Sequence, residues 1–221
     1  MPIYKKVNKK FFKKWSSEMA YVLGFFMADG SVDVNSRGYH YFSIQICDKD
    51  LLESIKKILD SDHKIATRKG VGKEKDRYRI QIGSKEICDD LRNLGVNENK
   101  TSTMGLPKIP KKYFGDFVRG YFDGDGHVWV GEIHKKRKTK HLTLQTGFTS
   151  CSFNFLNELR HSLKDFGLVN GSFYAQKNYF RLNYSMKNSL LLYEIMYNSS
   201  NNNLFLFRKK VVFESFKKMR P

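Results

Sequence analysis

Two aspartates, Asp29 and Asp125, occupy equivalent places in two similar nine-residue segments of the chain. The first segment, 22–30, reads VLGFFMADG, and the second, 118–126, reads VRGYFDGDG. The two aspartates are 96 residues apart, which is close to half of the 221-residue chain. Each segment predicts an apolar helix whose carboxylate lies at the C-terminal end, where the helix dipole disfavours negative charge. Two carboxylates brought together at such ends are expected to bind a cation.

Small residues recur four positions apart in both segments, as Gly24 and Ala28 in the first and as Gly120 and Gly124 in the second. Residues at i and i+4 share one face of a helix. A face without large side chains lets two helix backbones approach closely. The pattern therefore predicts that the two motif helices pack against each other.

A single apolar helix followed by glycine is more commonly explained by core packing and a C-cap. Gly30 and Gly126 suit the left-handed position that often ends a helix. Two copies half a chain apart favour a different explanation, because a repeat of this kind indicates two similar units whose faces need each other. We expect the units to comprise residues 1–106 and 107–221.

The charge of the chain indicates a polyanionic partner. There are 40 lysines and arginines against 22 acidic residues, a formal net charge of +18. No apolar run reaches transmembrane length, and the basic residues are spread over apparent strands rather than one amphipathic helix, so we predict no membrane partner. Nucleic acid is the favoured class of partner.

The remaining composition predicts an intracellular protein. The three cysteines are odd in number and lack metal-ligand spacing, which is typical of a reducing compartment. The six histidines form no zinc-binding pattern. The first six residues lack the apolar segment of a secretory signal.

The predicted elements follow the same order in both halves: helix–strand–strand–helix–strand–strand–helix. After the first motif helix, which Ser16 or Ser17 is expected to cap, hydrophobic periodicity predicts strands over 38–46, 64–69 and 77–82 and helices over 50–59 and 86–94. Cys47-Asp48 matches Cys151-Ser152 at an offset of 104 residues. The offset grows from 96 because the second half has a longer basic loop, 134–141.

Alternation along two matched strands separates a polar from an apolar face. In the strand at 77–82, Arg77, Arg79 and Gln81 share one face, and in the matching strand Tyr179, Arg181 and Asn183 do so. A solvated face is the usual reason for such alternation, but arginine and amide side chains also read guanine and adenine in the major groove. With this net charge we favour DNA contact. The DNA-contact candidates are Tyr41, Gln45, Arg68, Arg77, Arg79, Gln81, Lys140, Gln145, Gln176, Tyr179, Arg181 and Asn183.

These two motifs, with the linker Asn99-Lys100-Thr101 leading to Pro107 and Pro110, resemble the LAGLIDADG homing endonucleases of the single-chain, two-motif type. The resemblance covers the chain from about Glu18 to its end. It implies an α+β fold of two αββαββα units related by a pseudo-twofold axis. The motif helices would form the interface, and two antiparallel sheets would form a DNA-binding saddle.

The resemblance also implies a reaction: metal-dependent hydrolysis of one phosphodiester on each strand of double-stranded DNA, leaving a short 3′ overhang. Asp29 and Asp125 match the metal-binding acids, and Mg²⁺ is the expected metal. Asp123, two residues earlier, is expected to have a structural or capping role. Whether the backbone near Ala28 supplies a ligand stays open.

Further site residues follow from the resemblance. Lys100 matches the basic residue beside the scissile phosphate in the first unit, and Lys209 is preferred over Arg208 in the second. Asp48 and Ser152 stand at the positions that hold an active-site water, where glutamine or asparagine is more usual.

Two other functions stay open at this point. An RNA maturase of the same family would use the same charge, and a catalytically inactive DNA-binding protein would use the same fold. Retention of both motif acids favours cleavage. Since one chain carries both motifs and their reading faces differ, we expect a monomer with a long asymmetric target.

Overall fold

The computed structural model describes residues 5–96, 103–133, 141–198 and 202–219. A four-stranded antiparallel sheet in the order β1-β2-β4-β3 forms the first unit together with three helices. The elements of this unit are α1 (Ser17–Asp29), β1 (Gly30–Val34), β2 (His40–Ile46), α2 (Lys49–Ile58), β3 (Ile65–Arg68), β4 (Arg77–Gly83) and α3 (Lys85–Asn93).

The second unit repeats this arrangement, with strand order β5-β6-β8-β7. Its elements are α4 (Phe114–Asp125), β5 (Gly126–Ile133), β6 (His141–Ser150), α5 (Phe153–Lys164), β7 (Ser172–Ala175), β8 (Phe180–Tyr184), α6 (Met186–Tyr193) with the π-helical turn Glu194–Asn198, and α7 (Phe207–Lys218). Short 3₁₀ turns, Phe11–Lys13 and Lys111–Tyr113, precede the two motif helices. The predicted fold is confirmed, and α7 is an addition to it. The predicted boundary at residue 106 stays a prediction.

Serine hydroxyls fix where several helices begin. The Ser16 side chain accepts a hydrogen bond from the Met19 amide at 3.1 Å, and the Ser84 side chain accepts one from the Ile87 amide at 3.3 Å. Each bond satisfies an amide that has no partner within its helix. The first of these caps was predicted from the sequence, with Ser16 rather than Ser17 in the role.

The motif helices are the centre of the core. From Met19 to Met27 every side chain of α1 is buried, as is every one of α4 from Phe117 to Asp123. The stretch of α1 is apolar on all sides, which is typical of a helix in an interior, whereas α4 also buries Arg119 and Asp123. The inner faces of the sheets are buried as well, and Phe42 and Phe148 contact the rings of Phe26 in α1 and Phe122 in α4. No helix in the described parts of the chain is long and apolar enough to cross a bilayer.

Gly30 and Gly126 do not adopt the left-handed conformation expected of them. Both are extended, with φ of −94° and −88°, because each is already the first residue of a strand. Glycine is needed at both positions because the neighbouring ring leaves no room for a side chain. A Cβ would lie 2.1 Å from the Phe26 ring in the first unit and 2.3 Å from the Phe122 ring in the second.

Candidate active site

The two motif helices touch backbone to backbone. A Cβ on Gly24 would lie 2.1 Å from the Phe117 carbonyl oxygen, and a Cβ on Gly120 would lie 2.0 Å from the Tyr21 carbonyl oxygen. Phe117 and Tyr21 are themselves 96 residues apart, the same offset as the two glycines. The contact is therefore reciprocal, as a pseudo-twofold axis requires. The predicted packing of the small faces is confirmed.

This packing brings the Asp29 carboxylate against the second motif helix. A Cβ on Gly124 would lie 2.3 Å from the Ala28 Cβ and 3.2 Å from Asp29 Oδ2. Asp29 thus extends across the helix contact to the residue just before Asp125. Both acids are the last residues of their helices. The structure therefore places the two acids that the sequence singled out at neighbouring helix ends.

The donor chemistry fits a hard divalent cation whose coordination is completed by other molecules. Oxygen atoms of Asp29 and Asp125 are the ligand type that Mg²⁺ prefers, and Mg²⁺ usually keeps water and substrate phosphate among its ligands. Among the residues that the structure describes, no three histidine, cysteine or acidic side chains form a group able to hold a metal by themselves. Asp29 and Asp125 would therefore supply only part of the ligand set of a bound Mg²⁺, and substrate phosphate and water would supply the rest.

Lys209, the basic residue predicted for the second unit, lies at the end of helix α4. Its side chain is buried, and its ammonium donates to the carbonyl oxygens of Phe122 at 2.6 Å, Asp123 at 2.9 Å and Gly126 at 2.6 Å. These carbonyls end helix α4, where a cation is favoured. Burial lowers the pKa of Lys209 to about 8, against the opposing attraction of Asp123. Asp29 and Asp125 also act electrostatically on this ammonium, so Lys209 lies near both motif acids as well as at the end of helix α4. Its catalytic role stays a prediction.

Arg208 lines a cleft that also contains Asp29. Its guanidinium donates to both carboxylate oxygens of Asp48, at 3.2 Å each, which joins α7 of the second unit to the start of α2 in the first. The pair borders a cleft of about 300 Å³ that Asp29, Gln45 and Arg77 also line. The Arg208 side chain is 56% exposed, so it is accessible from this cleft.

The two residues predicted to position water differ in their surroundings. Asp48 keeps a partly exposed carboxylate within the cleft, engaged by Arg208. Ser152 is fully buried, and its hydroxyl donates to the Met104 carbonyl at 2.6 Å and accepts from the Phe155 amide at 3.2 Å. A helix cap and a tertiary hydrogen bond thus replace the predicted water-positioning role of Ser152.

Asp123 is structural, as expected from its place two residues before Asp125. Its Oδ2 accepts hydrogen bonds from the Tyr21 hydroxyl and from the Leu206 amide, both at 2.8 Å. Burial raises the pKa of this carboxyl to about 6. Asp123 thereby attaches the segment before α7 to both motif helices.

A buried arginine holds the same segment from the other side. Arg119 is 1% exposed and donates to the carbonyl oxygens of Leu204 at 2.8 Å and Met196 at 2.5 Å. It also donates to Asp116 and to Asn202, both at 2.8 Å. These bonds fix the chain that leads into α7 and so determine where Arg208 and Lys209 lie.

The outer face of the first sheet carries the predicted polar residues. Strand register places Gln45 opposite Arg79 and Arg68 opposite Arg77, and all four are exposed. Gln81 is exposed on the same face, and Arg79 donates to the Ser43 hydroxyl at 3.1 Å. Tyr41 is half-buried opposite Gly83.

The outer face of the second sheet is less basic. Arg181 is exposed and its guanidinium lies 5.1 Å from the centre of the Tyr179 ring, while Asn183 and Tyr179 are half-buried. Gln145 and Gln176 are exposed. Trp129, opposite Gln145, is also on this face; sequence reasoning missed it, although alternation along β5 could have identified it. Lys140 and Lys100 lie outside the described residues.

The chain spans less than two thirds of the length of the curated relatives that it matches. It is 29% identical over 121 residues to the uncharacterised protein MJ0398 of Methanocaldococcus jannaschii, covering 53% of this chain and 42% of that protein. It is 25% identical over 196 residues to the DNA-directed RNA polymerase subunit Rpo1C of the same organism, covering 86% and 22%. It is 29% identical over 117 residues to an A-type ATP synthase subunit of Methanopyrus kandleri, covering 52% and 11%.

Solved structures share the fold. The LAGLIDADG meganuclease I-AabMI, bound to uncleaved DNA, has a TM-score of 0.61 at 17% identity and covers 90% of this chain and 88% of its own. I-SmaMI, bound to uncleaved DNA target in the presence of calcium ions, has a TM-score of 0.62 at 13% identity and covers 93% and 90%. The sequence model of the LAGLIDADG-like domain matches residues 16–94 and again residues 115–206. With both units matched and both motif acids brought together at the helix contact, this chain belongs to the LAGLIDADG family.

Proposed function

We propose that this protein is a site-specific endonuclease that cuts both strands of double-stranded DNA. The observation that carries the proposal is the meeting of the two motif helices, which sets Asp29 against Gly124, next to Asp125. Two equivalent carboxylates about a pseudo-twofold axis match the two strands of a duplex, which are themselves related by twofold symmetry. Each acid would serve one strand, and the cut would leave a short 3′ overhang.

Mg²⁺ is the cofactor we propose, held by Asp29 and Asp125 with oxygens of the substrate phosphate and water. When bound, it would neutralise charge on the scissile phosphate and lower the pKa of an attacking water. Arg208, accessible from the cleft beside Asp29, would bind a phosphate oxygen there. Asp48 would orient this guanidinium through its two hydrogen bonds.

The charge of the protein and its similarity to DNA-bound meganucleases support DNA as the substrate. The outer faces of both sheets carry exposed arginine, and the net charge of +18 favours a polyanion. The similar meganucleases I-AabMI and I-SmaMI were solved with DNA bound. Because one chain supplies both acids, we propose that a monomer suffices.

The relatives are consistent with a gene that spreads by insertion. An RNA polymerase subunit and an ATP synthase subunit have unrelated functions, yet each contains a segment similar to this chain. A cutting enzyme that promotes insertion of its own coding sequence would leave such segments in unrelated proteins.

The test is cleavage of a library of random duplexes in Mg²⁺, followed by sequencing of the cut ends. We expect one long asymmetric sequence to be enriched, cut on both strands, and cleavage to stop when EDTA removes the metal. Asp29→Asn and Asp125→Asn should each abolish double-strand cleavage while leaving binding in Ca²⁺ within about twofold. Undiminished double-strand cleavage by either variant would refute the assignment of the acids.

The same experiment separates the two alternatives. Specific duplex binding without cleavage in any divalent metal would indicate a catalytically inactive DNA-binding protein. Preference for a structured RNA over every duplex in the library would indicate a maturase.

A further inference from the structure

The two outer sheet faces can be compared position by position. Register aligns Gly30, Ile44, Ile80 and Ile65 across the first sheet, and Gly126, Phe148, Leu182 and Phe173 across the second. These two rows are equivalent, since each begins at the glycine after a motif acid. Outer residues at matching distances from these rows are therefore counterparts wherever both strands extend that far.

Arg79 and Arg181 are counterparts, but the outer positions around them differ in kind. Asp33 on the first edge strand corresponds to Trp129, and Ala66 on the opposite edge strand corresponds to Tyr174. Trp129 is 45% exposed and Tyr174 is 53% exposed. The second face thus presents large aromatic surface where the first presents an acid and a methyl group.

The indole of Trp129 is accommodated on the sheet by a glycine. A Cβ on Gly131, the next outer residue of the same strand, would lie 2.2 Å from Trp129 Cζ2. The ring therefore covers Gly131 and lies along the strand. Trp129 thus presents an apolar ring on the outer face in a defined position.

We propose that the second sheet recognises a thymine-rich half-site through apolar contact of Trp129 and Tyr174 with thymine methyl groups, while the arginines of the first sheet recognise guanine. This inference rests on the DNA binding that is part of the proposed function, and it does not require cleavage. The thymine methyl group projects into the major groove, where apolar side chains contact it, and guanine presents two acceptors there to arginine. The surface is continuous with the face that carries Arg181, whose positive charge favours the phosphate backbone beside it.

Replacing thymine by deoxyuridine tests the inference, since it removes only the methyl group. The half-sites are first identified from the sequences bound in Ca²⁺, a selection that does not require cleavage. We expect the half bound by the second sheet to be enriched in thymine. Deoxyuridine in that half should weaken binding about three- to fivefold per contacted methyl group, and deoxyuridine in the other half should have no effect.

Variants assign the effect to residues. Trp129→Ala should bind thymine and deoxyuridine equally at one position, whereas Trp129→Phe should keep part of the difference. Met219→Ala is the matched control, because Met219 is a 62% exposed apolar side chain that belongs to neither sheet. It should keep the full difference.

The outcomes separate this inference from the proposed function. A second half-site without thymine enrichment, or equal binding of thymine and deoxyuridine by the unaltered protein, would overturn the inference even if DNA is cut. Thymine-dependent binding without cleavage would support the inference and refute the endonuclease. Selective binding of RNA, which lacks the methyl group, would overturn both.

Discussion

Gly24 and Gly120 occupy equivalent points of the contact between α1 and α4. Gly24 lies against the carbonyl oxygen of Phe117, three residues before Gly120, and Gly120 lies against that of Tyr21, three residues before Gly24. There is no room for a Cβ at either place, because one would lie within 2.1 Å of main-chain oxygen. Main chain cannot move aside as a flexible side chain can. These glycines therefore determine how closely the helices pack, and with them how closely Asp29 and Asp125 approach.

Gly120→Ala should lower the free energy of unfolding by at least about 1–3 kcal/mol, the usual cost of overpacking. Urea denaturation checks this. Gly83→Ala is the matched control: its Cβ would lie 3.5 Å from the Tyr41 ring, an ordinary contact, so stability should stay within about 0.5 kcal/mol. Equal stability of the Gly120 variant and the control would contradict the packing described above.

Substitutions of two adjacent residues of α7, Arg208 and Lys209, should affect stability and catalysis differently. Lys209→Met removes the ammonium donor from several carbonyl oxygens at the end of α4 and should lower the free energy of unfolding by about 2–4 kcal/mol. Arg208→Ala removes only an exposed ion pair and should change it by less than about 1 kcal/mol. In single-turnover assays Arg208→Ala should slow cleavage of one strand roughly 100-fold, because it removes a phosphate ligand. Unchanged nicking rates would exclude Arg208 from the reaction.

Asp123 should make stability fall as pH rises through the mildly acidic range. Its pKa is about 6 in the folded protein, above the ordinary value of 3.8, so the folded state binds more protons than the unfolded state between these values. Stability is therefore lost from about pH 4 to pH 6, by on the order of 2–3 kcal/mol. Urea denaturation in EDTA should show this slope in the unaltered protein and a flatter one in Asp123→Asn. Parallel slopes would contradict the raised pKa.

DNA binding should weaken steeply with salt. Each phosphate neutralised by arginine or lysine contributes a slope of about −0.9 to a plot of log K against log salt concentration. Arg181→Gln, on the outer face of the second sheet, removes an exposed charge that we place beside the phosphate backbone, and should reduce this slope by about one. Lys6→Gln should leave it unchanged, since Lys6 pairs with Asp60 at the end of α2. A flat response would argue against binding across the sheet faces.

The sequence was sufficient for features that depend on repetition and periodicity. Small residues four apart predicted the helix contact, and alternation at Arg77, Arg79 and Gln81 predicted an exposed polar face. Both patterns are local in sequence. They predict the fold correctly because they state directly which face of a helix or strand can be buried.

Other features depend on direction in space, which sequence does not specify. Arg208 and Lys209 are neighbours on one helix and so point about 100° apart; only the packing of α7 decides which one is buried. Ser152 carries a signal shared by helix caps and active-site groups, and the nearby Met104 carbonyl makes it structural. Glycine at position 30 is explained equally well by a left-handed helix cap and by a strand start that has no room for a Cβ. The chain enters β1 directly at Gly30 in an extended conformation, so the second explanation is correct.

The backbone contact between α1 and α4 also governs how such proteins can be recombined. A half taken from one protein can join a foreign half only if both keep small residues where Gly24, Ala28, Gly120 and Gly124 lie. The reading faces lie on the opposite side of each sheet from these helices and impose no such demand. A chimaera that keeps the contact between α1 and α4 could therefore combine the DNA-sequence preferences of two different parent proteins.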